Sequence, residues 1–260
     1  MSMLRRCDSW GHPLKVGLGA STLVLAAFAM GGSVLAADAP VAKTPVYTKA
    51  PPRAAECSPY WSLFGGWNSV ESINSYSGVG LDDPRSLQFK DGYVVGGAVG
   101  RCVPGWNWLR IEGELSYRRN GLSSVTVAPE GTASRSGRVT ALALMANAWA
   151  DFNVAPNVTV HAGGGIGAAR VGLRVSNISV TVPGPFPVND SDTVFAFQLG
   201  AGAAWHFMPN VALTLDYRYF HAMDPTFRGA AGLATYSFSD DYQAHSIMVG
   251  LRGKFTTGAP

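Results

Sequence analysis

From Leu109 to Arg118 the chain alternates without a break. Leu109, Ile111, Gly113, Leu115 and Tyr117 are apolar, small or aromatic, and Arg110, Glu112, Glu114, Ser116 and Arg118 between them are charged or polar. A period of two marks a strand whose two faces meet different surroundings. Val211, Leu213, Leu215, Tyr217 and Tyr219 repeat the pattern against Ala212, Thr214, Asp216, Arg218 and Phe220. So do the odd positions from Phe195 to Phe207, and Ile247, Val249, Leu251 and Phe255 against Ser246, Gly250, Arg252 and Lys254. Eight such segments begin near Tyr60, Asp91, Asn107, Arg138, Asn157, Thr193, Val211 and Asp241. Short turns containing Pro or Asn fall at Val103 to Trp106, Asn153 to Pro156 and Met208 to Asn210. Long connections fall at about Ser69 to Lys90, Arg119 to Gly137, Gly172 to Asp192 and His221 to Asp240. The expectation is an all-β fold, an eight-stranded antiparallel up-and-down barrel with short turns at one end and long loops at the other.

Charge placement decides which way the barrel faces. Charged residues make up 14% of the chain, well below the roughly 25% usual for soluble proteins. After the first forty residues no apolar run approaches the roughly 20 residues that a membrane helix needs. A chain entering a bilayer therefore does so as strands. An eight-stranded barrel has little interior room beyond its own side chains. Pointing Leu, Phe and Trp from every strand inward would overfill it, whereas the small and charged faces fit. The reading is thus a transmembrane barrel with a lumen charge network of Arg110, Glu112, Glu114, Arg118, Asp151, Asp216, Arg218, Arg252 and Lys254. Pairing these groups matters, because a lone buried charge costs several kcal/mol. Trp61, Trp106, Trp108, Phe152, Trp205, Phe207 and Phe255 fall at the turn ends, and Tyr93, Tyr117, Tyr217 and Tyr219 nearer the loop ends. Aromatics favour the two membrane interfaces, so these residues are expected to form two girdles.

Arg5, Arg6 and Lys15 precede an apolar stretch from Val16 to Met30 and small residues at Val34 to Ala36, the layout of an export signal cut after Ala36. The expected domains are a signal peptide (1–36), a Pro/Ala-rich periplasmic linker (37–59), the outer-membrane barrel (60–255) and a short tail (256–260). Removal of Cys7 with the signal leaves Cys57 and Cys102 as candidates for a disulfide in an oxidising compartment. The net charge of +3 and the lack of a basic patch interleaved with aromatics argue against nucleic acid as a partner.

Several strand segments, among them WLRIEGELSYRRNG (Trp108 to Gly121), HAGGGIGAARV (His161 to Val171), FAFQLGAGAAW (Phe195 to Trp205), LDYRYF (Leu215 to Phe220) and HSIMVGLRGKF (His245 to Phe255), resemble a known family. They are similar to the small alphaproteobacterial outer-membrane surface antigens, related to opacity-type proteins and the OmpA-type eight-stranded barrel. The resemblance spans roughly residues 60 to 255 and implies assembly by the outer-membrane insertion machinery and a role as surface antigen, adhesin or envelope stabiliser. It also implies a C-terminal assembly signal at Gly250 and Phe255, with Gly253 where the family usually has an aromatic.

Catalytic and metal constellations are not expected. His221 is followed by Ala222 and Met223 where a lipid hydrolase would place a serine, and Asp224-Pro225 reads as a turn. Asp240 and Asp241 with His245 resemble a rim protease only superficially, and a solvated loop end accounts for them. His161 and His206 lie on the lumen face without metal-ligand spacing, and Gly163 to Gly167 are strand glycines rather than a phosphate loop. The function expected is a non-enzymatic surface protein without a cofactor, with a narrow small-solute or ion channel as the alternative. The expected partners are outer-membrane lipid and lipopolysaccharide, with the loops open to a host or other extracellular ligand. Arg118, Arg119, Arg138, Arg170 and Arg174 sit near the loop bases, where guanidinium groups suit phosphate, although Arg118 has the lumen phase.

Overall fold

The computed structural model describes residues 58–75, 85–127, 131–134, 136–176, 188–231 and 234–255. The expected signal peptide, nearly all of the linker and the C-terminal tail lie outside these residues. The described elements are β1 (Tyr60–Val70), β2 (Ile73–Ser75), β3 (Arg85–Phe89), β4 (Gly92–Val103), β5 (Trp106–Val127), β6 (Gly131–Ser134), β7 (Ser136–Ala155), β8 (Val158–Ser176), β9 (Val188–Met208), β10 (Val211–Ala222), β11 (Thr226–Ala231), β12 (Ala234–Ser239) and β13 (Tyr242–Lys254).

Eight of these close into a ring, β1-β4-β5-β7-β8-β9-β10-β13 and back to β1, with antiparallel pairing throughout. Each ring strand begins within a few residues of a point where the alternation begins in the sequence. The register fixes the geometry of the ring. Tyr60 pairs with Gly100, and the path continues through Glu112, Asn147, Gly165, Gln198, Phe220 and Ala244. It returns to β1 at Val70, ten residues from its start. With strands about 4.8 Å apart and a rise of about 3.3 Å per residue, that stagger corresponds to a tilt of about 40°, normal for a closed barrel.

Alternation then sorts the side chains. On β7 the odd positions Val139, Ala141, Ala143, Met145, Asn147 and Trp149 are buried inside, and Leu142, Leu144 and Phe152 are exposed outside. From Phe152 to Leu142, ten residues at this tilt cover about 25 Å, the height of the apolar band on an outer-membrane barrel. Inner glycines on β8 provide the space for bulky neighbours. A Cβ on Gly165 would collide with the Asn147 side chain, and one on Gly163 with Trp149.

The long connections differ from the loops that the sequence suggests. β5, β7, β8 and β9 run for 22, 20, 19 and 21 residues, about twice the 9–11 residues needed to span a bilayer. Arg119 to Gly137, expected as loop, is thus largely strand, and so are the two ends of Gly172 to Asp192. Two further hairpins fill in above the shorter strands. β2 and β3 pair with each other and β3 pairs with β5, while β6 pairs with the end of β5. β11 and β12 form a hairpin, and β11 joins β9 at Gly229 opposite Val188. The Asp190 and Asp192 carboxylates accept the backbone N–H groups of Arg228 (2.7 Å) and Thr226 (3.0 Å), tying β11 to β9. The reason is hydrophobic: Ile73, Leu87, Leu122, Leu173, Val175, Val188 and Phe227 are buried in one cluster with barrel residues such as Val139, Val171 and Phe220. The loop end is therefore a folded β extension whose apolar core is continuous with that of the barrel.

Candidate functional site

The lumen divides by chemistry. Its turn-side half holds the polar network and its loop-side half is continuous with the apolar cluster. Glu114 is fully enclosed and is bridged to Arg218 across the interior. The same Oε2 atom accepts from Asn147 (3.0 Å) and Gln198 (3.2 Å). Glu112 accepts from Trp149 Nε1 (3.2 Å), from Asn147 (3.2 Å) and from the Tyr60 hydroxyl (2.8 Å). Tyr60 in turn accepts from Arg110 (2.7 Å), and Arg110 Nε donates to Asp151 at 2.5 Å. Asp216 pairs with His161 at 2.7 Å. The network thus draws on six strands, β1, β5, β7, β8, β9 and β10, and crosses the interior rather than lining its wall.

Arg118 departs from simple pairing. It is wholly buried where the polar half meets the apolar half, lies 4.0 Å over the Phe220 ring, and donates to Ser116 Oγ (3.0 Å). Among the described residues it has no carboxylate within ion-pair range, and it is not at the surface with the other loop-base arginines. Arg252 and Lys254 are half-buried at the turn end and likewise form no ion pair among the described residues. Arg252 lies over the Tyr60 ring at 5.5 Å.

Tyr60, Asn147, Trp149 and Gln198 belong to the network but were not singled out from the sequence. Their signal was phase: each shares the parity of the charged residues on its strand or pairs with one across the sheet. A second cluster was also missed. Asn68 donates to Asn120 (2.6 Å) and accepts from Ser246 (2.7 Å), joining β1, β5 and β13 within the lumen.

On the outer face, Trp205, Phe207 and Phe152 are exposed at the turn end, and Tyr93, Tyr117, Tyr217 and Tyr219 stand towards the loop end. Trp106 and Trp108 are stacked at 5.9 Å in a stretch where the β4–β5 register shifts, from Cys102 opposite Arg110 to Val103 opposite Trp106. Trp67, outside the expected set, is exposed in the outer phase of β1. Trp61 is half-buried opposite Gly253, and a Cβ on Gly253 would stand 2.5 Å from its indole. The aromatic absent from β13 is thus supplied by its neighbour. Gly250 is buried against Phe64 and Thr214, and Phe255 N donates to Pro59 O (2.9 Å). Cys102 is disulfide-bonded, and its expected partner Cys57 lies outside the described residues.

The histidine pairings differ from those weighed in the sequence. His221 faces Asp241 (3.1 Å) rather than Asp224, which occupies a turn at φ 47°. His245 faces Glu71 (3.1 Å) and Tyr217 (2.8 Å) rather than Asp240 or Asp241. Both histidines lie on the outer wall. There the Tyr219 hydroxyl donates to Gln243 (2.8 Å) and its ring stands 5.2 Å from that of His245. These contacts fasten β13 to its neighbours. No group of three or more His, Cys, Asp or Glu side chains able to hold a metal occurs among the described residues.

Comparison with known proteins gives a family match and several similar solved structures. Among solved structures the chain is similar to outer membrane protein OprG of Pseudomonas aeruginosa (10% identity, TM-score 0.52, covering 78% of this chain and 99% of that one). It is also similar to Neisserial surface protein A (16%, 0.45, 76% and 97%) and to Ail, the attachment invasion locus protein of Yersinia pestis (15%, 0.37, 76% and 99%). At 10% identity the likeness to OprG bears on fold alone. No curated protein matches the chain. The family description "Outer membrane protein beta-barrel domain" matches residues 23–255. With the closed ring, the outward apolar band and the inward charges, that match establishes that the chain belongs to the outer membrane protein beta-barrel domain family and resides in the bacterial outer membrane.

Proposed function

We propose that the chain is a non-enzymatic surface barrel whose lumen is closed by its own side chains and whose folded loop end is displayed outside the cell. The observation that carries this reading is the network from Arg218 through Glu114, Asn147, Glu112 and Tyr60 to Arg110 and Asp151, which fills the turn-side interior beneath an apolar core. Residues 1–36 act as the export signal and 37–59 as a periplasmic linker, and Cys57 bonds Cys102. The resemblance to small alphaproteobacterial surface antigens favours an antigenic or adhesive role for the loop end. Its β-built hairpins offer a rigid surface to an extracellular ligand, where a rigid scaffold usually leaves function.

Epitope tags test the display. A tag in the connection between β8 and β9 is expected to be labelled on intact cells, and a tag near position 45 only after permeabilisation. The reverse labelling would overturn the orientation. Lipid extracted from cells that overproduce the protein is expected to keep its mass profile, and a new acylation state would point to a lipid-modifying enzyme instead.

A further inference from the structure

The register lays out the outer face of β5, β7, β8 and β9 as rows. Leu115, Leu144, Ala168 and Phe195 are cross-strand neighbours in one row. The next row towards the loops is Tyr117, Leu142, Arg170 and Thr193, then Arg119, Thr140, Gly172 and Ser191, then Gly121, Arg138, Arg174 and Asn189. Four arginines stand in three successive rows. The outer-phase positions of these four strands contain no Asp or Glu among the described residues. The nearest carboxylates, Asp190 and Asp192, have the opposite phase and bind the backbone of β11.

At the centre Gly172 has no side chain, leaving a recess of about 460 Å³ whose lining includes Arg138, Arg170, Arg174, Thr140 and Ser191. Asp190 also lines it, but both of its carboxylate oxygens are engaged by backbone N–H groups, of Ser191 (2.8 Å) and of Arg228 (2.7 Å). A Cβ on Gly172 would stand 3.1 Å from the Thr140 hydroxyl oxygen and 3.7 Å from Ser191 Cβ. Arg170 donates to Ser191 Oγ (3.0 Å) and Arg174 to Asn189 Oδ1 (2.8 Å), so neutral groups hold both guanidiniums in place. Arg138 and Arg174 are direct cross-strand partners. Like charges opposite one another destabilise a sheet. Together these features describe an anion site that the fold maintains at a cost.

The site's height selects the source of the anion. The row beneath the arginines lies within the upper part of the apolar band, with Leu115, Leu144 and Phe195 all more than half exposed, and the band ends at Leu142 beside Arg170. An amphiphile seated here lays its acyl chains along those residues and its phosphates in the recess. We propose that this recess binds the phosphate groups of outer-leaflet lipopolysaccharide, the guanidinium forks of Arg138, Arg170 and Arg174 supplying charge-assisted hydrogen bonds. The proposal rests on the surface orientation given above, which the epitope labelling tests separately.

The experiment uses the full chain purified from outer membranes, as wild type, R138Q/R170Q/R174Q, the single variants R138Q and R174Q, and R101Q as a charge-removal control at the turn end. Heat-dependent gel migration checks that each is folded, and native mass spectrometry in detergent measures binding of bisphosphorylated lipid A, dephosphorylated lipid A, inorganic phosphate and heparin. The triple variant is expected to bind bisphosphorylated lipid A at least about tenfold more weakly than wild type. R101Q is expected to match wild type, and dephosphorylated lipid to bind wild type and triple variant alike. R138Q and R174Q, which relieve the like-charge pair, are expected to melt no lower than wild type while binding lipid A less well, a combination that a purely structural role would not give. Unchanged affinity in both the triple and the single variants would overturn the site. Inorganic phosphate binding as tightly as lipid A, or heparin binding more tightly, would overturn the lipid assignment.

Discussion

The Arg218–Glu114 bridge joins β10 to β5 through a fully enclosed carboxylate. Removing one partner leaves the other charge buried and unpaired, whereas removing both leaves neither. R218M is therefore expected to lower the unfolding free energy by about 3–5 kcal/mol, and R218M/E114M to recover most of that loss. Urea titrations of the barrel in vesicles measure these and E114M, and a loss in the double variant equal to the sum of the two single losses would show that the pair is not coupled. The charged members of this network were legible in the sequence because alternation gave them one phase. Trp149 was not, since a lone indole among alanines looks the same whether it faces lipid or a carboxylate. Only the cross-strand register puts its Nε1 against Glu112. Arg118 illustrates the converse: its phase placed it inside, but its stacking on Phe220 depends on a residue from another strand.

At the scale of elements, the turn-side strand ends and tight turns were legible and the loop end was not. Period two identifies a strand that separates oil from water or from a polar lumen, and it fades where the outer face becomes solvent and hydrogen-bonding partners come from short distant hairpins. Phe227 on β11 is wholly buried beneath such a hairpin. F227D is expected to release β11–β12 from β9, at a cost of about 3–5 kcal/mol to that extension. Hydrogen exchange should then accelerate in β11 and the first residues of β9 while β10 and β13 keep their protection. Uniform acceleration around the ring would mean that extension and barrel unfold as one unit. The terminal strand offers a second test. Because Trp61 covers Gly253, G253F is expected to slow assembly, and W61G/G253F to restore it, as read by the rate at which heat-modifiable barrel appears in vesicles. A G253F protein that assembles faster than wild type would contradict the packing.

For the whole molecule, the eight-stranded ring and its outward apolar band were anticipated by counting segments and asking which face an eight-stranded barrel has room to bury, whereas its stagger comes only from the register. The division of the lumen into a polar half and an apolar half was not anticipated, because it depends on which side chains meet across the interior: Tyr60, Glu112, Asn147 and Gln198 come from four strands far apart in sequence and connect only after the register is set. In the function proposed above, that division closes the interior, with ion pairs below and a hydrophobic core above. The most direct test is the current through the purified, folded barrel in a planar bilayer. The account predicts no stable unitary conductance for wild type. Steady, large unitary steps from wild-type protein would contradict it.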